Sequence, residues 1–166
     1  VTGGAVAGPA LLLEADTGKV LYAEDPDNQW YPASLTKIMT AYLTFEALKA
    51  GRVTLDTKIT VSEAAHLQPP SKVGLPVGGE ITVELALKAL IVKSANDVAV
   101  MLAEAVGGSE AAFIDRMNAT ARRLGMSRSR FANPNGLPSA DQVTTARDLA
   151  RLSRAVLRDF PDYAHY

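Results

Sequence analysis

The chain has 166 residues, 48% of them hydrophobic and 21% charged, with a formal net charge of −1. That length can bury a real core as one domain spanning residues 1–166, and the near-neutral balance gives no reason to expect a nucleic-acid partner. The absence of cysteine excludes disulfides, thiol catalysis and cysteine metal sites, and no apolar run approaches the roughly 18 residues of a membrane span.

The opening VTGGAVAGPA lacks the basic start and long apolar stretch of an export leader, which is compatible with a mature exported protein. PALLLEADTGKVLYAED predicts two short strands joined at Asp16-Thr17-Gly18, where glycine supplies the positive φ of a tight turn. After a polar loop at residues 25–28, apolar residues at Ile38, Met39, Tyr42, Leu43 and Leu48 fall at helical spacing, with Gly51 placed to end that helix. Ser34 then sits at the cap or in the first turn. LDTKITV is a brief extended candidate, Ser62 caps a short helical turn, and QPPSKVGLPVGGE is a loop. Thr82 caps a helix over VELALKALIVK, with Glu84 in its first turn. The helical pattern breaks at KSAND and resumes in DVAVMLAEAVGG. Ser109 caps EAAFIDRMNATARRLG, FANPNGLPSADQ is a loop, and a last helix runs through TTARDLARLSRAVLRDFPDY to a stop near Pro161. Several helices thus accompany only two clear strands, and an isolated two-stranded hairpin is marginal by itself.

Two short stretches carry candidate chemistry. Ser34 and Lys37 stand three residues apart at a helix start, so they share a face. A serine hydroxyl is a poor nucleophile until a base removes its proton. A neutral lysine can be that base if its pKa falls from about 10.4 towards neutrality. Burial, a neighbouring cation and the positive end of a helix all push that way. A capping serine followed by an exposed lysine explains the same pattern without chemistry. In KSAND, Ser94 and Asn96 can project together from a tight turn, one relaying a proton and the other binding a carbonyl. The plainer alternative is a helix–helix turn whose polar side chains satisfy backbone groups, with Asp97 serving the next helix start.

Elsewhere the sequence argues against other chemistries. His66 and His165 lie in no nucleophile motif, and no H-E-x-x-H or His/Asp cluster at ligand spacing occurs, so no metal is expected. VGLPVGGE has no GK[ST] to make it a phosphate cradle. RRLGMSRSR reads as a solvated basic surface at a helix end.

Taken together, LLLEADTGKVLYAED, YPASLTKIMTAYL, KSANDVAVMLAE, FANPNGLP and TTARDLARL resemble the serine D-Ala-D-Ala carboxypeptidases, the low-molecular-mass penicillin-binding proteins. The match runs nearly the whole length. The resemblance implies a β-lactamase/transpeptidase-like α/β (α+β) fold, with a helical subdomain and the N-terminal strands of an incomplete antiparallel sheet. It implies Ser34 as the acyl-forming nucleophile, Lys37 as its base, Ser94 as the proton relay to the leaving D-alanine, and Asn96 as the binder of the substrate amide. Substrates would be peptidoglycan stem peptides, with β-lactams as acylating mimics and no cofactor. The protein would act outside the cytoplasm, in the periplasm or its equivalent.

One landmark of that family is absent. No Lys-Thr-Gly, Lys-Ser-Gly or Arg-Thr-Gly follows Ser94. In the family that strand supplies a cation for the substrate carboxylate and one oxyanion-hole N–H. The expectation is therefore a catalytic domain cut before its C-terminal strands, with the remaining segment as a partner. A serine β-lactamase would need a deacylating Glu-x-x-x-Asn, and Glu104 and Glu110 fit no such pattern. An inert fragment that binds without turnover is the other alternative.

Overall fold

The computed structural model describes residues 8–166; residues 1–7, on which most of the leader reading rests, lie outside the described part. Strands β1 (Ala10–Leu13) and β2 (Val20–Glu24) form an antiparallel hairpin whose turn uses Gly18 at φ 74°. Helix α1 (Thr36–Lys49) follows a 3₁₀ turn at Ala33–Leu35. Then come β3 (Lys58–Thr60), α2 (Glu63–His66), β4 (Glu80–Thr82), α3 (Val83–Val92), α4 (Asn96–Gly107), α5 (Glu110–Arg123) and α6 (Ala146–Asp159).

The helices begin where the sequence supplies a capping oxygen. Ser62, Thr82, Ser109 and Thr145 each accept a backbone N–H three residues on, from Ala65, Leu85, Ala112 and Asp148. The first three of these caps are the expected ones. Among the described residues there are two two-stranded sheets, β1-β2 and β3-β4; β3 falls within the extended candidate LDTKITV, whereas its partner β4 is not expected from the sequence. The missed strand β4 is three residues long and runs into the Thr82 cap, too short for any alternating pattern to stand out.

The core centres on α4. Val98, Ala99, Val100, Met101, Leu102 and Ala103 are all essentially inaccessible, as befits a helix apolar on every side. It packs against α1, α2, α3 and α5, which cage it. Helix α6 turns Leu152 and Ala155 inward and packs on α1 and β1, while Arg154 donates to the carbonyls of Ala15 and Asp16 and so fastens the hairpin. This is the helical subdomain with a small antiparallel sheet that the sequence implied. On β2 every residue is exposed, including Leu21 and Tyr22.

Candidate active site

The approach to α1 is held by backbone pairing and close packing. Trp30 exchanges N–H···O bonds with Thr144 at 2.8 and 2.9 Å, which pins the chain just before Pro32. Ala33 then takes φ 48°, a left-handed conformation uncommon for alanine. Opposite it stands Gly136, where a Cβ would overlap the Ala33 carbonyl oxygen, so glycine there is what lets the two backbones approach so closely. Ser34 follows within the 3₁₀ turn. Neither that turn nor α1 has a side-chain cap, so the capping explanation of Ser34 fails.

Lys37 lies in the first turn of α1 and is only 5% exposed. Its Nζ donates to Asn96 Oδ1 at 2.8 Å and to the Asn135 carbonyl at 2.6 Å. Both acceptors are neutral, and among the described residues no carboxylate pairs with it. Burial without a counter-charge disfavours the ammonium and lowers its pKa from 10.5 to about 8. The alternative of an exposed surface lysine is therefore excluded. The same side of α1 carries Thr40, whose hydroxyl donates to the Pro134 carbonyl at 2.6 Å, and Thr44, which donates to Thr40 O. Buried polar groups persist in a core when each has a partner, and these do.

Facing them is the break between α3 and α4. Ser94 sits there at φ 56°, half-buried, and its left-handed turn separates the two helices. Asn96 opens α4. Because the Lys37 ammonium can only donate, Asn96 presents its oxygen to it, which fixes the amide's orientation. Its Nδ2 then donates to the carbonyls of Pro69 and Pro70 at 3.0 and 3.3 Å. The fold thus brings Lys37 and Asn96 into direct contact, with Ser34 one turn back from Lys37 and Ser94 two residues before Asn96.

The loop at residues 131–142 does more than its composition suggested. Gln142 Oε1 accepts from the backbone of Ala132 and Asn133, while its Nε2 donates to Asn133 Oδ1 and Thr36 Oγ1. This stitching stations the Asn135 carbonyl over Lys37. Main-chain acceptors leave no residue-type signature, so only the density of Asn, Pro and Gly in the stretch hinted at a tightly shaped loop.

Set against known proteins, the chain matches the D-alanyl-D-alanine carboxypeptidase family, peptidase S11, over residues 4–166 and belongs to it. It is 40% identical over 149 residues to the D-alanyl-D-alanine carboxypeptidase DacF of Bacillus subtilis, a match covering 90% of this chain and 38% of that protein. Its fold is that of penicillin-binding proteins. It superposes on the D-alanyl-D-alanine carboxypeptidase DacD of Francisella tularensis with a TM-score of 0.91 at 40% identity, over 94% of this chain and 38% of the other. With penicillin-binding protein D2 of Listeria monocytogenes in its cefotaxime-bound form the TM-score is 0.82 at 31% identity, over 94% of this chain and 64% of that one. The chain therefore spans well under half the length of the curated relative.

Proposed function

We propose that this chain carries the nucleophile side of a serine D-alanyl-D-alanine carboxypeptidase acting on peptidoglycan stem peptides. The observation that carries this reading is Lys37: a buried amine with neutral acceptors only, one helical turn from Ser34 and bonded to Asn96.

In the proposed reaction neutral Lys37 takes the Ser34 proton as Oγ attacks the carbonyl carbon of the penultimate D-alanine. The tetrahedral intermediate collapses with cleavage of the C–N bond as Ser94 relays the proton held by Lys37 to the departing D-alanine amine, leaving Lys37 neutral and Ser94 a hydroxyl again. An acyl ester on Ser34 remains, which water hydrolyses to regenerate the hydroxyl. Asn96 orients Lys37 and shares its Nδ2 with the substrate carbonyl, easing its longer bond to Pro70. β-Lactams acylate Ser34 by the same attack, and the cefotaxime complex of the Listeria relative supports extending this to the present chain. The N–H of Ser34 at the helix start is suited to be one oxyanion donor.

We further propose that residues 1–166 form part of one catalytic domain, completed by strands bearing a Lys-Thr-Gly motif. An apolar groove of about 660 Å³ lined by Leu11, Leu13, Trp30, Leu35, Ile38 and Leu149 is the face on which they would pack. Supplying the second oxyanion donor matters, since losing one costs about 10²–10³ in rate. The substrate class places the protein outside the cytoplasm.

The test is fluorescent-penicillin labelling followed by release of D-alanine from a peptide ending in D-Ala-D-Ala. Labelling that vanishes in Ser34→Ala supports the nucleophile. An unlabelled but folded full-length protein refutes it, and rapid turnover of the penicillin instead of a lasting adduct would mark a β-lactamase.

A further inference from the structure

Asp97 follows Asn96 in the first turn of α4 and is 2% exposed. Among the described residues its carboxylate pairs with no cation. Instead it accepts only from backbone N–H groups. Val98 N donates to Oδ1 at 2.8 Å, Val73 N to both oxygens at 3.1 and 2.9 Å, and Gly74 N to Oδ2 at 2.9 Å. Hydrogen bonds to an ionised acceptor are roughly twice as strong as neutral ones, and a buried carboxylate needs all of them. Serving the start of α4 would require only the Val98 bond. The others reach back more than twenty residues to a loop with no regular structure.

The stretch just before that clamp surrounds Asn96. The carbonyls of Pro69 and Pro70 accept from Asn96 Nδ2, and Ser71 O accepts from Asn96 N at 2.8 Å. Ser71 Oγ in turn donates to the Lys93 carbonyl at 2.9 Å, bracing the far side of the Ser94 turn. A continuous line of bonds therefore runs from Asp97 through residues 73–74 and 69–71 to Asn96, and from Asn96 Oδ1 to Lys37 Nζ.

We propose that Asp97 is a positioning residue for acylation: it clamps residues 69–74 onto the start of α4 so that Asn96 stays aimed at Lys37. Released from the clamp, the loop withdraws the acceptors of Nδ2, Asn96 gains rotamers, and Lys37 keeps only the Asn135 carbonyl. Misplacement of reacting groups by about 1 Å can cost on the order of 10²-fold in rate. The inference rests on the reading that Lys37 and Asn96 act in acylation.

The experiment uses the full-length protein and Asp97→Asn, which keeps the side chain's shape but sets an amide donor against an N–H. Expected are a fall of about tenfold or more in the fluorescent-penicillin acylation rate constant, faster amide hydrogen exchange at Val73 and Gly74, and displaced Asn96 side-chain NH₂ resonances. Ser109→Ala, which removes the α5 cap remote from this loop, is the control for general destabilisation and leaves acylation within twofold of the parent. Should Asp97→Asn not fold, Val73→Pro deletes the shared N–H from the other end and carries the same expectations, with exchange read at Gly74 alone because proline has no amide proton. An acylation rate within twofold of the parent in either folded variant, or unchanged exchange at Val73 and Gly74, overturns the proposal. A parent protein that takes no label at all instead refutes the catalytic reading, while the exchange data still report on the clamp itself.

Discussion

Lys37→Met isolates the energetic cost of keeping an amine inside the protein. In the unfolded chain this amine titrates near 10.5, and in the folded protein burial lowers that to about 8. Between those values the unfolded state binds more protons than the folded one, so stability rises with pH. The penalty is fully present below pH 8 and gone above pH 10.5. At about 1.4 kcal/mol per pH unit it amounts to about 3 kcal/mol, of which roughly 2.5 kcal/mol is relieved between pH 7 and pH 10. Solvent screening removes little of it, because the residue is 5% exposed. Methionine keeps the unbranched apolar stem and cannot ionise. It also strands Asn96 Oδ1 and the Asn135 carbonyl without their donor, at about 1–3 kcal/mol each, but that cost does not depend on pH. Urea unfolding of parent and variant at pH 7, 8, 9 and 10 separates the two effects, since the titration of every other group cancels in the difference. The parent gains about 2.5 kcal/mol on the variant across that range. A difference flat to within about 0.5 kcal/mol would mean Lys37 titrates normally, and the argument for an uncharged base would fail.

Further outcomes follow from the same geometry. The acylation rate constant rises about tenfold per pH unit up to about pH 8 and then levels, following the neutral fraction of Lys37; stopped-flow acylation across pH 6–10 reads this directly. Gly136→Ala puts a methyl on the Ala33 carbonyl at a position with φ 88°. It should cost roughly 2–4 kcal/mol in denaturant unfolding and impair acylation, because the displaced backbone includes Ser34 N. Thr40→Val removes the donor to the Pro134 carbonyl. It lowers stability by about 1–3 kcal/mol in the same assay.

What could be read from the chain divides by the range of the interaction responsible. Ser62, Thr82 and Ser109 were legible as caps because each bonds a backbone N–H three residues away, inside a window a reader can scan. The α3–α4 break at KSAND was equally plain, since Ser94 interrupts two apolar periods. For Ser34 the sequence leaves cap and first turn equally open, because a serine before an apolar run looks the same whether or not its hydroxyl is used locally; the structure places it in the 3₁₀ turn with no side-chain cap. The buried stripe of Thr36, Lys37, Thr40 and Thr44 on α1 could not be seen by periodicity, which assigns polar residues to solvent. Apart from Thr44, which donates to Thr40 O, its partners come from 59–106 residues away, and two of them are main-chain carbonyls, which every residue possesses. Nothing in the sequence therefore marks Asn135 and Gln142 as parts of the site, although the composition of residues 131–142 marks the loop that holds them.

Neutral acceptors surround Lys37, and their neutrality has a chemical consequence. A carboxylate at hydrogen-bond distance would hold the proton on the amine and disable it as a base. Asp97, adjacent in sequence to Asn96, avoids this by directing its charge to the amides of Val73, Gly74 and Val98. Asn96→Asp reverses that arrangement by placing a negative oxygen where Oδ1 now stands, 2.8 Å from Nζ. Opposite charge favours the ammonium, so the pKa of Lys37 moves up from about 8. At pH 7 each unit of that rise removes about nine-tenths of the neutral amine, and acylation falls about tenfold with it. The variant also loses the Nδ2 bonds to Pro69 and Pro70, which would slow the reaction equally at every pH. The pH profile distinguishes the two causes. An acid limb displaced to higher pH, with a deficit that shrinks towards pH 10, identifies charge as the cause. A parallel profile, uniformly lower, would show that Asn96 acts by shape alone and that neutrality of the acceptors is incidental.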